Sequence, residues 1–395
     1  MNIVIAAPFC SLPGEAYFNR FLYLAEYLSQ EHEVTLMTSR FRHHDKTFRQ
    51  GCGGKIGRLN VKLLDETGYR RNVSLARVFS HRRFVRELAR EVGRWQAGEV
   101  DVVYSAYPLM ATNLLLGRHK ARVGYKLIID VQDVWPESFS AVVPFIKKLP
   151  PRLLPFARRA DAAYRAADAL AAVSHTYLAR ARAANPDVPA MTAYIGADGG
   201  RIAQIAPYRF DIPRTRLFYL GTLSHSYDLA TVCRAVQMAA EGGADIELHI
   251  IGGGPQETVL RRRFAGSRIV FHGMLAYDAA IALAKGCDIA VNPIHGHAMQ
   301  SITNKLSDYL LLGKPVLSSQ TGGEVRNVLS LLPAAHYPSG DAEACAAAIG
   351  RLRETPAPDS GAQHALHRLF DRRLSYPPLA EWIVRQGTKN EPPAG

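Results

Sequence analysis

Cysteine is scarce and scattered in this chain: five in 395 residues, at positions 10, 52, 233, 287 and 345, with no two at CxxC spacing. An odd, dispersed set excludes a disulfide framework and a zinc knuckle, and fits a reducing compartment. No apolar run approaches the roughly 18 residues needed to cross a bilayer. The stretch from Met1 to Ala7 reads as a short apolar strand with neither a basic n-region nor a long h-region, so no signal peptide is expected. No Asp-x-Asp pair ends a strand and no His/Cys set has ligand spacing, so the site is expected to work without a metal. RNA- and DNA-binding signatures are also missing, so nucleic acid is not an expected partner.

Basic charge, by contrast, is plentiful. Lys and Arg number 48 against 35 Asp and Glu, a formal charge of +13, which implies an acidic partner. Residues 70–95 hold Arg70, Arg71, Arg77, Arg82, Arg83, Arg86, Arg90 and Arg94 against only Glu87 and Glu91. Leu75, Val78, Phe79, Val85, Leu88, Val92 and Trp95 are interleaved at helical spacing, so the segment reads as a basic amphipathic helix. One reading is a solvated face. The other is contact with an anionic membrane leaflet, where each basic residue adds about 1 kcal/mol. Residues 147–165, basic, Pro-rich and apolar, suit the same role. The expectation is a cytoplasmic protein, peripheral on the inner face of the cell membrane.

Short apolar strands alternate with helix-length segments. Strands are expected at 3–7, 33–38, 61–64, 102–106, 127–131 and 169–173, and helices at 17–29, 75–95, 152–167 and after Ser174. Residues 185–214 are rich in Pro and Gly. The pattern then restarts with strands at 217–220, 246–251, 269–272, 289–293 and 315–318. Alternating βα units mean parallel sheets covered on both faces. The expected architecture is α/β, two doubly wound Rossmann-like domains facing across a cleft. The first spans 1–205 and the second 206–370. A helix over 371–386, with its apolar part after a Pro-Pro pair, packs back toward the first domain, and 387–395 form a flexible tail.

Ligands of such sheets bind beyond the carboxyl ends of strands, and four segments there carry chemistry. Gly14 follows the first strand, where a backbone can approach a ligand at a helix N-terminus. The run Asp130-Val131-Gln132-Asp133-Val134-Trp135-Pro136-Glu137-Ser138 lies at another strand end. Asp133 there either caps a turn or orients an acceptor hydroxyl. Gly221 and Thr222, then Gly252 one strand on, offer backbone N–H groups to phosphate. The strongest segment is 300–317, in which Thr303 or Asn304 serves as N-cap and Lys305 stands in the first turn. A Lys there is unfavourable for the helix itself, so a bound anion explains it. Asp308, one turn on, is placed to accept from ribose hydroxyls. His225, His272, His295 and His297 fall near these loops, most of them as polar packing residues; His295 and His297 flank Gly296 and are candidates to touch a sugar.

The run Lys305-Leu306-Ser307-Asp308-Tyr309-Leu310-Leu311-Leu312-Gly313-Lys314-Pro315-Val316 resembles the donor helix of the family-4 retaining glycosyltransferases of the GT-B fold, a group that builds bacterial surface polysaccharides and glycolipids. Asp133-Val134-Trp135-Pro136-Glu137-Ser138 is similar to a surface-polysaccharide subgroup. Ile195-Gly196-Ala197-Asp198 resembles the family's end-of-domain signature, and Val270-Phe271-His272-Gly273-Met274 its nucleobase loop. The resemblance covers nearly the whole chain. It implies a nucleotide-sugar co-substrate, UDP- or GDP-linked, and no other cofactor. Backbone at Gly273, Met274 and Leu275 would meet the base, and the segment Gln300, Ser301, Ile302, Thr303 and Asn304 would lead into the phosphate site. Gln300 and Asp308 stand where the family has two glutamates, for the transferred sugar and the ribose. Thr222, Ser224, His225 and Ser226 stand where it usually has Arg and Lys, and Lys305 is the compensating charge.

The implied reaction is transfer of a sugar with retention to a glycan or lipid-linked acceptor, in exopolysaccharide, capsule or O-antigen synthesis. The departing phosphate takes the acceptor's proton while fixed dipoles stabilise its charge. Lys305, Asp133 and Gln300 are the catalytic candidates. Two alternatives stand beside it: a sugar-nucleotide 2-epimerase-like enzyme, and a catalytically weak donor-binding partner subunit.

Overall fold

The computed structural model describes residues 1–15, 20–51, 53–71, 74–138, 154–266, 268–295, 302–355 and 360–388. The chain divides into two units, Met1–Ala193 with Tyr376–Gly395, and Tyr194–Ser375.

In chain order, the first unit contains β1 (Asn2–Ala6), α1 (Arg20–Leu28), β2 (Glu33–Ser39), β3 (Phe41–Arg42), β4 (Thr47–Phe48), β5 (Gly53–Ile56), β6 (Leu59–Leu64), α2 (Leu75–Gly93), β7 (Val102–Tyr107), α3 (Met110–Val123), β8 (Lys126–Val131), α4 (Ala157–Arg165), β9 (Ala169–Ala172), α5 (His175–Arg182) and β10 (Ala190–Thr192). Its sheet runs β10-β9-β8-β7-β1-β2-β6-β5. All neighbours are parallel except β5, which pairs antiparallel with β6 at one edge. The apolar runs of β1, β7 and β8 are buried on both faces, as a covered parallel sheet requires. Serine caps set two helix starts: Ser74 accepts from Arg77 N–H before α2, and Ser174 from Tyr177 N–H before α5.

The second unit contains α6 (Gly199–Gln204), β11 (Thr215–Leu220), α7 (Leu229–Glu241), β12 (Ile246–Ile251), α8 (Glu257–Phe264), β13 (Ile269–Gly273), α9 (Tyr277–Gly286), β14 (Ile289–Asn292), α10 (Asn304–Leu312), β15 (Val316–Ser318), α11 (Gly323–Leu329), β16 (Ala334–His336), α12 (Ala342–Arg353) and α13 (Ser360–Phe370), followed by α14 (Arg372–Gly387). Its strands are all parallel in the order β13-β12-β11-β14-β15-β16. Period-two alternation sorts the core. Leu217 and Tyr219 join Leu248, Ile250 and Val291 under α7 and α12, while Phe218 and Leu220 pack with Leu306, Tyr309 and Leu310 on the other face.

Several expectations shift. Residues 194–205, expected in the first unit, lie in the second: Tyr194, Ala197 and Ile202 pack in its core, and Tyr194 stacks on Phe370 at 4.7 Å. The helix expected from residue 152 begins at Ala157, after Phe156 in the left-handed region at φ 68°. The Pro-Pro pair lies inside α14 rather than before it. Pro377 and Pro378 each remove an N–H from the helix, which is held instead by burial of Tyr376, Leu379, Ala380 and Ile383 with Ile3, Leu24 and Val102 in the first unit. The apolar positions of α2 divide between two faces. Phe84, Leu88 and Val92 are buried, whereas Leu75, Val78 and Phe79 are exposed. Among the described residues, no helix is long and apolar enough to cross a membrane.

Candidate functional site

Each sheet reverses its strand order at one point, between β1 and β7 in the first unit and between β11 and β14 in the second. Loops part there and leave a crevice at the carboxyl ends of the strands.

In the second unit the loops after β11 and β12 are locked together. Gly221 N–H donates to the Ile251 carbonyl at 2.9 Å, Gly252 N–H to Gly273 at 2.8 Å and Leu223 N–H to Gly253 at 2.9 Å. Gly221 and Gly252 have φ of 133° and 136°. A Cβ at Gly252 would overlap the Gly221 carbonyl, and one at Gly221 would press on Lys305 Nζ. These glycines therefore allow close approach of backbones as well as whatever they offer a ligand. Thr222 is exposed.

Lys305 is the centre of this edge. Its ammonium donates to the Tyr219 hydroxyl at 2.8 Å, and that hydroxyl donates to the Thr222 carbonyl at 2.8 Å. Nζ also lies 3.3 Å from the ring centre of Tyr227 and 4.3 Å from that of Tyr219. No carboxylate pairs with it among the described residues. Burial holds its pKa well below the ordinary lysine value. Thr303, the N-cap of α10, makes no side-chain cap bond, and its hydroxyl is buried without a hydrogen-bond partner. The helix start thus brings together exposed N–H groups, an unused hydroxyl and an uncompensated cation, the elements of an anion site.

Asp308, one turn on, accepts from the Tyr277 hydroxyl at 2.8 Å. Burial pushes its carboxyl up to about 6, against the opposing pull of Tyr277 and Arg372. Asn304 is exposed at the helix start, whereas Ile302 buries its side chain in the core and presents only backbone. At the end of β13, Gly273 has φ 68°, and Met274 and Leu275 beyond it are exposed, Met274 by 73%. Gln300, Ser301, Gly296 and His297 lie outside the described residues. The other histidines have local partners: His225 with Gln256, His272 with His249 at 2.8 Å, and His295 with Ser339 at 3.0 Å.

In the first unit, Gly14 sits in a turn at φ 82°. Glu15 fixes that turn by accepting from Leu12 N–H at 3.0 Å while it pairs with Arg49. Asp133 holds its own loop. It accepts from Val134 N–H and Trp135 Nε1, both at 2.8 Å, and from the Ser138 hydroxyl. It therefore fills the turn-capping role that the sequence also allowed.

Tyr219, Tyr227, Tyr277 and Arg372 were not singled out from sequence. Tyr219 carried one signal, its place two residues before the Gly of a strand-end turn; the others are distant in the chain. Among the described residues, no group of three or more His, Cys, Asp or Glu side chains is placed to hold a metal ion.

Residues 214–355 match the family model described as Glycosyl transferases group 1. A curated relative, 2-deoxystreptamine glucosyltransferase of Streptomyces kanamyceticus, is 25% identical over 158 residues, which cover 38% of this chain and 40% of that protein. The chain thus spans less than half of the curated relative it matches. Solved structures align over nearly the full length. Sucrose-phosphate synthase from Thermosynechococcus elongatus superposes with a TM-score of 0.72 at 15% identity, over 97% of this chain and 98% of that one. Anabaena HepE in complex with UDP gives 0.66 at 16%, over 97% and 99%. The lipopolysaccharide outer core galactosyltransferase WaaB gives 0.63 at 15%, over 98% and 100%. The fold is therefore GT-B, two Rossmann-like domains, and the segment that matches the Glycosyl transferases group 1 model lies within the second unit.

Proposed function

We propose that this protein transfers a sugar from a nucleoside-diphosphate donor, UDP- or GDP-linked, to a glycan or lipid-linked acceptor, with retention and without a metal. The observation that carries this reading is Lys305: a half-buried cation, without a carboxylate partner among the described residues, in the first turn of α10. An unpaired buried charge is unfavourable in the empty protein, and a diphosphate would supply the missing counter-charge. The family match over 214–355 includes this helix. HepE binds UDP in its solved complex, which makes UDP the first nucleotide to test.

In this reading Lys305, Thr303 and the α10 N–H groups stabilise the charge that grows on the departing diphosphate. The backbone at 273–275 meets the base, and Asp308 accepts from ribose through the oxygen that Tyr277 leaves unused. Asp133 acts indirectly, as a positioning residue that sets Trp135 on the acceptor side. The site of action is the cytoplasmic membrane face, reached through residues 70–95 and 147–165, and the product belongs to surface polysaccharide synthesis.

The test is a thermal-shift panel of UDP, GDP, ADP and CMP with wild type and Lys305→Ala. One diphosphate should raise the melting temperature of wild type alone, and Lys305→Ala should lower turnover on the order of 10²–10³-fold. Equal binding by both proteins, or none by either, would remove the reading. Binding without transfer to any glycan or lipid acceptor would favour the donor-binding partner subunit.

A further inference from the structure

The first unit has a pocket that this donor chemistry does not use. It has a volume of about 620 Å³, within the range of small-molecule sites. Val78 and Val85 of α2, Leu109 and Met110 at the start of α3, Trp135 and Phe156 form its apolar walls. Pro108 and Leu109 follow β7, so one wall belongs to the carboxyl edge of the sheet at its reversal point.

Three cations line the same pocket: Arg82, Arg86 and Arg159. All three are exposed, no carboxylate lines the pocket beside them, and none has an ion-pair partner among the described residues. Their neighbour Arg83, by contrast, is paired with Glu87. His81 adds a polar wall atom: its Nε2 is buried without a hydrogen-bond partner. Around the pocket, Leu75, Phe79 and Phe156 are exposed by 77%, 59% and 65%. Apolar side chains left in water at this density mark a binding surface.

An apolar cavity edged by unneutralised arginines selects an occupant with two properties. It needs a hydrocarbon part to fill the walls and an anionic head to meet the rim. A free sugar lacks both, and inorganic phosphate lacks the hydrocarbon part. Arginine clusters favour phosphate through paired N–H donors. We propose that this pocket seats the hydrocarbon chain of a single phosphorylated lipid, with its phosphate on Arg82, Arg86 and Arg159. Its identity as the sugar acceptor rests on the transferase reading above; its binding does not.

The probe is decyl phosphate below its micelle concentration, titrated calorimetrically against the full chain, with decyl maltoside and inorganic phosphate as the headgroup and tail controls. Decyl phosphate should bind at least about tenfold more tightly than either control. Ala111→Trp, which fills the pocket from its wall, should weaken it at least about tenfold. Val78→Glu, at a position 46% exposed, should do the same if the first variant fails to fold. Arg82→Gln with Arg86→Gln should bring decyl phosphate down to the affinity of decyl maltoside. The UDP thermal shift should be unchanged in all of these variants, which separates this inference from the donor reading. Decyl phosphate binding no tighter than inorganic phosphate, or unaffected by both pocket variants, would overturn it. So would a parallel loss of binding to anionic vesicles in Ala111→Trp, because the pocket would then be only one part of a membrane-facing surface.

Discussion

Lys305 and Asp308 lie on one helix and are both half-buried, yet they make no ion pair with each other. Their shifts have opposite sign consequences. The folded chain holds the Lys305 proton less readily than the unfolded chain does, so stability tied to it rises with pH towards the ordinary lysine value. Lys305→Met should therefore raise the melting temperature of the empty protein, by about 1–2 kcal/mol in stability, while abolishing the nucleotide shift. A lowered melting temperature would show that the Tyr219 and Tyr227 contacts outweigh desolvation.

For Asp308 the folded value of about 6 lies above the ordinary carboxylate value of 3.8. Its contribution is fully present below pH 3.8 and lost as pH rises through 6, roughly 3 kcal/mol in all. Nucleotide binding runs the other way, since the ribose needs the ionised acceptor. Calorimetric UDP affinity should fall below pH 6 in wild type and stay flat in Asp308→Asn. A flat wild-type profile would detach Asp308 from the ligand.

The α2 helix uses its apolar residues twice. Phe84 is fully buried, whereas Phe79, five residues earlier, is 59% exposed. Denaturant unfolding should therefore show Phe84→Ala losing about 3–5 kcal/mol and Phe79→Ala losing no more than about 0.5 kcal/mol. Helical spacing in the sequence located this element but merged its two faces. What separates them is packing against α3, β6 and the segment after β6: Ser80 accepts from Gly68 N–H and donates to Glu66, and Phe84, Leu88 and Val92 are buried.

The same limit holds elsewhere. The central strands were legible because parallel strands covered on both faces are continuous apolar runs. The antiparallel edge strand Gly53–Ile56 was not, since all four of its residues are exposed. The candidate site was legible as a helix start with a misplaced Lys and a carboxylate one turn on. Its cage was not, because Tyr219, Tyr227 and Tyr277 meet α10 only through the order in which the strands assemble.

Taken as one body of charge, the chain carries +13, with exposed arginines next to exposed Leu75, Phe79 and Phe156 on the first unit. Co-sedimentation with vesicles containing anionic lipid should exceed that with neutral vesicles. It should fall as salt shortens the Debye length from about 10 Å at 0.1 M to about 3 Å at 1 M. Equal recovery on both vesicle types would leave this surface without a membrane role.

The cation at the start of α10 also has a consequence across generations. A descendant freed from holding a donor would gain stability by exchanging that lysine for an uncharged side chain of similar length, so drift would erase it early. Its presence or loss among descendants of this chain would then record, at a single codon, which lineages still depend on the ligand.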